Sequence, residues 1–316
     1  MEKKKIILDT DVGSDCDDML AIAYLVYAAK NLGCELSAIT YSHTCPHAIA
    51  SIRALLRSLD SPIPPIGRMD CEWQEKENYS KAVAEKFALK QDYEDVSSAV
   101  KVLRRALVEN EKSVICAIGP LTNISNLLQS DGDEISPLNG VELVKEKCEK
   151  LVVMGGRFTD EENGERFSEW NFKIDLDATK TFTEMCPVPA LFLPFEVGVK
   201  VLTGGKVMEK YGENTPLSLS FLRFASAKER GGRFSWDPIT AVYAVEGCKD
   251  WLEESACGEV RVDENGVSRF VEKKKGLHKI LKFNSRREQA EIIVELGEYI
   301  DNCALKILDF GGGIYR

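Results

Sequence analysis

Apolar blocks and polar loops alternate along the first two-thirds of the chain. Residues 5–8 form a short apolar run that predicts a buried strand. Residues 19–30 place Leu20, Ala23, Tyr24 and Tyr27 at helical spacing, and Gly33 ends that helix. Residues 36–41 predict a second strand. Residues 49–59 predict a helix stopped by Pro62, Pro64 and Pro65. A helix over 99–108, a strand over 114–118 and a Gly119-Pro120 turn into a short helix follow. The strand at 151–154 ends in Gly155-Gly156, and a helix at 178–185 precedes a strand at 190–193. Strands that alternate with helices predict an α/β fold, an open and mostly parallel sheet with helices on both faces.

Beyond residue 200 the pattern changes. Residues 217–228 and 238–245 read as helices, and 289–307 as a terminal helix. Residues 260–262 and 268–271 flank Asp-Glu-Asn-Gly at 263–266, which predicts a small β-hairpin near the C-terminus. The stretch 159–165 is the most polar and reads as a long loop. No repeat or linker interrupts the chain, so one domain over 1–316 is expected.

Composition adds exclusions. The 316 residues are 44% hydrophobic and 29% charged, with a net charge of −10. Such an acidic surface repels phosphate backbones, which argues against nucleic acid as a partner. The ten cysteines show no C-x-x-C spacing, and several lie in apolar runs. They read as reduced, buried thiols rather than a disulfide framework. No signal-peptide core and no apolar run of membrane length is present, so a cytoplasmic protein is expected.

The candidate chemistry sits at four strand ends, where open parallel sheets bind ligands. Asp9, Asp11, Asp15, Asp17 and Asp18 crowd one loop after the first strand. Carboxylates at that density repel unless a cation neutralises them, and oxygen-only ligands select calcium or magnesium. Acidic residues also favour the first turn of a helix, which accounts for one or two of the five. An EF-hand loop is disfavoured, because the glycine comes one position early and no Glu closes it. Ile118-Gly-Pro-Leu-Thr-Asn123 offers a strand-end carbonyl. Asn163 and Glu169-Trp-Asn171 offer amides and a carboxylate beside an aromatic, a set suited to sugar hydroxyls. Ser235-Trp-Asp237-Pro238 reads on its own as a helix start, with Asp237 as N-cap and Pro238 as first helical residue.

Together these segments resemble the inosine-uridine preferring nucleoside hydrolase family over most of the chain. The opening Ile-Ile-Leu-Asp-Thr-Asp11-Val-Gly with Asp17-Asp18-Met-Leu-Ala21 carries the most specific match. Ile118–Asn123, then Met154-Gly-Gly with Glu169-Trp-Asn171 and Asp175, then Asp237-Pro238, follow in the family's order. The resemblance implies that Asp11, Asp18, Asp237 and the Ile118 carbonyl hold Ca2+. It implies that Asp17, Asn163, Glu169 and Asn171 hold ribose hydroxyls, with Met154 against the sugar. It further implies that Asp11 accepts the proton of a calcium-activated water, and that a nucleoside is split into ribose and free base. A homodimer or homotetramer is the family's habit.

This chain departs from the pattern on the base side. Trp236 stands where many members have a leaving-group His; an indole stacks on a base but cannot act as its acid. Arg230, Arg233, Tyr79 and His43 are candidate substitutes, and Glu196 is another strand-end carboxylate. Asp11 and Asp17 stand two residues further apart than in the shortest form of the motif, so Asp15 is an alternative sugar ligand. A haloacid-dehalogenase-like phosphotransferase also uses a strand-end Asp-x-Asp, although Gly13-Ser14 follow here where that family places Thr or Val and an aliphatic. A non-catalytic ribosyl-binding protein is the third class.

Overall fold

The apolar blocks become the strands of one large sheet in a computed structural model that describes residues 3–74, 78–159 and 166–311. Strands β1 (Lys4–Thr10), β2 (Cys34–Tyr41), β3 (Ile66–Arg68), β4 (Ser97–Ser98), β5 (Ser113–Ala117), β6 (Cys148–Met154) and β7 (Ala190–Leu193) are mutually parallel where they pair. A short antiparallel pair, β8 (Leu202–Thr203) with β9 (Arg233–Phe234), stands apart. Then β10 (Leu252–Glu254), β11 (Gly258–Val262), β12 (Ser268–Glu272) and β13 (His278–Phe283) extend the large sheet beyond β7. Its order is β12-β11-β13-β7-β6-β5-β1-β2-β3-β4, with β10 also on β13. β13 lies parallel to β7, whereas β10, β11 and β12 are antiparallel. The expected fold is therefore observed, hairpin included.

Successive side chains of the central strands enter opposite cores. Ile6, Leu8, Val114, Cys116, Val152 and Met154 belong to one hydrophobic cluster. Ile7, Ile115, Ala117, Leu151 and Val153 belong to the other. Burial on both faces is why these strands read as continuous apolar runs. The helix Asp17–Asn31 covers the first face with the helix Trp236–Glu246, and Ala99–Glu109 and Thr122–Leu128 cover the second.

The chain runs outward from β1 in one direction through β2, β3 and β4, and in the other through β5, β6 and β7. The crevice between β1 and β5 is thus a topological switch point, where a ligand can sit at the carboxyl ends of strands. The acidic loop leaves β1 there, and Ile118 leaves β5 beside it.

Several boundaries differ from those the pattern predicts. The helix expected over 217–228 is two, Pro216–Arg223 and Ala225–Arg230, broken where Phe224 is extended (φ −91°, ψ 107°). The terminal helix runs further, Gln289–Gly311. β3, β4 and β13 were not visible as strands, nor was the helix Tyr79–Phe87. All ten cysteines are free thiols. Among the described residues, no helix is long and apolar enough to cross a membrane.

Leu8 is wholly buried beneath the acidic loop. Leu8→Ala is expected to lower stability by about 3 kcal/mol, read as a lower denaturant midpoint with an unchanged slope.

Candidate active site

Asp9 ends inside the protein. Its Oδ1 accepts from Thr40 Oγ1 (2.5 Å) and Asn123 Nδ2 (2.7 Å), and its Oδ2 is buried with no partner among the described residues. Burial pushes this carboxyl up to about 7, against the pull of those hydrogen bonds. Asn123 thus serves the loop from beneath, a role its place in the second segment did not reveal. Asp11 follows one strand period later and is also buried. Burial, with the neighbouring carboxylates Asp15, Asp9 and Glu169 adding to it, pushes Asp11 up to about 7 as well, although Ser14 hydrogen-bonds to it.

The turn between Asp11 and Asp17 is shaped by glycine and tyrosine. Gly13 has φ +107°, a conformation side-chain-bearing residues rarely adopt. Its amide donates to Tyr79 Oη (2.8 Å), and Tyr79 Oη donates in turn to the Asp15 carbonyl (2.6 Å). That buried phenol latches the loop and is no longer available as an acid. Gly119 lets β5's end approach. A Cβ there would lie 2.6 Å from Ser42 Oγ and 3.0 Å from Asp11 Oδ1.

Asp17 and Asp18 occupy the first turn of the helix Asp17–Asn31, where the helix dipole favours negative charge. Asp18 Oδ1 accepts from Thr10 Oγ1 and from the Asp11 amide, while its Oδ2 is buried without a partner among the described residues. Asp17 Oδ2 accepts from the amides of Trp236 and Asp237, both at 3.1 Å. Asp17 therefore caps a second helix, Trp236–Glu246, and two helix N-termini converge on one acidic cluster. That corrects the expectation for Asp237-Pro238. The helix begins at Trp236, and Asp237 is its second residue rather than its N-cap. Carboxylate oxygens of Asp17, Asp18 and Asp237 lie within 4.8 Å of one another. Burial first, and the mutual repulsion of these groups second, push Asp18 and Asp237 well above the usual carboxylate range; Asp17 shifts likewise, by burial and then by Asp15. Three buried carboxylates, one with an unpartnered oxygen, fit a hard cation held by oxygen alone.

The same cavity, about 450 Å3, is lined by Asp11, Asp17, Asp18, Ile118, Met154, Glu169, Asn171, Trp236 and Asp237. Every predicted site residue is thus gathered there except Asn163, which lies outside the described residues. Some are already engaged. Glu169 caps the helix Trp170–Ile174, accepting from the amides of Asn171 (2.9 Å) and Phe172 (3.2 Å), and also from Gly156 (3.1 Å). Asn171 Nδ2 donates to the carbonyls of Ile118 (3.0 Å) and Met154 (3.2 Å), which ties the end of β5 to that of β6.

The remaining wall was not foreseen as a unit. Trp236 stacks on Phe195, with ring centres 5.5 Å apart, and its Nε1 donates to the Phe195 carbonyl (2.9 Å). Phe167, Trp170, Phe224 and Arg233 complete the lining. Arg233 grips Asp15, with Nε 2.8 Å from Oδ1 and Nη2 on Oδ2. His43 and Arg230 are not among the lining residues. His43 lies edge-on to Tyr41, and Arg230 sits over Phe234. Glu196 Oε1 accepts from the Phe158 amide (3.0 Å), a turn-capping role.

The model of the inosine-uridine preferring nucleoside hydrolases matches residues 6–298. The fold superposes on a purine-preferring ribonucleoside hydrolase from Gardnerella vaginalis (TM-score 0.71, 21% identity, 95% of this chain and 99% of that one). It superposes on a plant nucleoside hydrolase (TM-score 0.70, 20% identity, 94% and 99%). It also superposes on the type III effector protein XopQ complexed with adenosine diphosphate ribose (TM-score 0.66, 14% identity, 98% and 94%). No curated protein matches the chain in sequence. With the family match spanning the sheet, the acidic loop and Asp237 alike, neither a phosphotransferase nor a bare binding protein accounts for the chain: it belongs to the inosine-uridine preferring nucleoside hydrolase family, whose members are enzymes that hydrolyse nucleosides.

Proposed function

We propose that this enzyme cleaves the N-glycosidic bond of a ribonucleoside, or of a related ribosyl conjugate, using Ca2+ and Asp11. The observation that carries the reading is one cavity with an acidic floor and an aromatic wall. XopQ's complex with adenosine diphosphate ribose supports keeping ribosyl conjugates within the substrate class. Asp18 and Asp237 would hold the cation, with Asp11 and the Ile118 carbonyl as further ligands, while Asp17, the third carboxylate of the cluster, already accepts from two amides and is left to the sugar. A cation held there would neutralise the carboxylates, help to orient the sugar and acidify a water.

The chain's own groups do the rest. Asp17 has one oxygen on the amides of Trp236 and Asp237, and its second accepts from a ribose hydroxyl. Asp15, engaged by Arg233, is the poorer sugar ligand. Glu169, Asn171 and Asn163 complete the sugar contacts, with Met154 against the ring. Asp11 takes the proton of the attacking water. As the bond to the base breaks, positive charge grows at C1′, and the fixed carboxylates stabilise it. Trp236 and its stacked partner Phe195 form the surface on which the base lies.

The acidic floor makes stability depend on pH and on cation. Asp9 and Asp11 rise from 3.8 to about 7 on folding, so the folded chain holds protons that the unfolded chain releases. Stability contributed by these groups is present at low pH and is lost as pH rises through that window. In chelator, the melting temperature is therefore expected to fall between pH 4 and about 7. Saturating Ca2+ should restore most of it at the upper end. A chelated protein whose melting temperature is level across this window contradicts the burial argument.

Activity is tested by reducing sugar released from a panel of purine and pyrimidine ribonucleosides. Release is expected with Ca2+, abolished by chelator, and slowed roughly a thousandfold in kcat by Asp11→Asn. Phosphate release from a phosphomonoester without ribose release would sink the reading.

A further inference from the structure

The reaction needs something to draw the base away, and Trp236 cannot supply it. The indole's one N–H is bonded to the Phe195 carbonyl. Tyr79 is consumed by the Gly13 turn and the Asp15 carbonyl. Among the described residues, the cationic side chains lining the cavity are Arg233 and Lys173, and Lys173 is exposed.

Arg233 differs from Lys173 in being fixed. Its side chain is 15% exposed. Asp15 engages Nε and Nη2, and among the described residues Nη1 makes no hydrogen bond. The guanidinium lies 5.0 Å from the Trp236 ring centre and 5.1 Å from that of Phe224. A carboxylate clamp on one edge and aromatic rings beside it hold the plane in place and leave one donor edge over. Sequence gives the same grouping. Asp15 lies in the stretch lengthened between Asp11 and Asp17, and Trp236 replaces the leaving-group His. Both departures meet at Arg233.

We propose that Arg233 is the leaving-group residue of this enzyme, its Nη1 donating to a ring nitrogen or carbonyl oxygen of the departing base. The inference rests on the ribonucleoside reading above. In this step the C1′–N bond breaks and its electron pair goes to the base. The attacking water forms the C1′–O bond and yields a proton to Asp11. A guanidinium keeps its proton, so it stabilises the base as an anion, which then takes a proton from solvent. Asp15 is the positioning residue that aims the fork.

The test compares leaving groups. Wild type, Arg233→Gln and Asp15→Asn are assayed with Ca2+ on inosine, on uridine and on p-nitrophenyl β-D-riboside, whose phenolate departs without help. Arg233→Gln is expected to lose roughly 100-fold in kcat on both nucleosides, but no more than about tenfold on the p-nitrophenyl riboside. Asp15→Asn should show a smaller loss with the same selectivity, and it decides the matter if Arg233→Gln does not fold. Equal losses on all three substrates make the pair a brace for the loop and overturn the proposal, as does no loss at all. A wild type that cleaves the p-nitrophenyl riboside but neither nucleoside overturns the ribonucleoside reading, and this inference with it.

Discussion

The burial of several carboxylates in one place is the constraint on which this structure turns. Asp11, Asp17, Asp18 and Asp237 are each almost wholly removed from water. Buried, mutually repelling carboxylates cost several kcal/mol apiece unless something of opposite charge meets them. The protein supplies part of the answer itself. Two helix N-termini point at the cluster, and backbone amides donate to Asp17 and Asp18. The remainder, including the unpartnered oxygen of Asp18, is the share a cation would take.

The rest of the fold serves that cluster. β1 is packed on both faces, so the point where the acidic loop leaves the sheet cannot drift. Asn123 and Thr40 fix Asp9 from the helix Thr122–Leu128 and from β2, and Tyr79 fixes the turn from the far side. The Asn171 side chain joins the ends of β5 and β6 by donating to the carbonyls of Ile118 and Met154, which braces that side of the cavity. The opposite wall is built differently. It consists of aromatic rings on short helices and turns, with Phe224 recruited by breaking a helix. The floor of the cavity is thus polar and the facing wall aromatic.

Much of this was legible in the sequence, and the limits have physical causes. Strands buried on both faces announce themselves by apolar runs, so β1, β2, β5, β6 and β7 were readable. β3 and β4 have three and two residues, and β4 is Ser-Ser, so no pattern could mark them. β13 reads His-Lys-Ile-Leu-Lys-Phe, half polar, so it shows no continuous apolar run although it has partners on both sides. The metal-side residues were found because five acids in ten positions are hard to explain otherwise. The helix start near Asp237 was misplaced by two residues because the carboxylate that caps it is Asp17, 220 positions away from Asp237. The Asp15–Arg233 pair, 218 positions apart, is equally invisible to local patterns. Glu169 was read as a sugar ligand; that three backbone amides also hold its carboxylate is a feature of the folded loop that the sequence does not show.

The central claim is that segments more than two hundred residues apart make one cation site. Calorimetric titration of Ca2+ into the wild type and into Asp237→Asn tests it most directly, because that substitution leaves the acidic loop untouched. One site per chain in the wild type, and its loss or severe weakening in Asp237→Asn, is the expected result. Undiminished binding in Asp237→Asn would mean that the loop alone holds the ion, and would contradict the account.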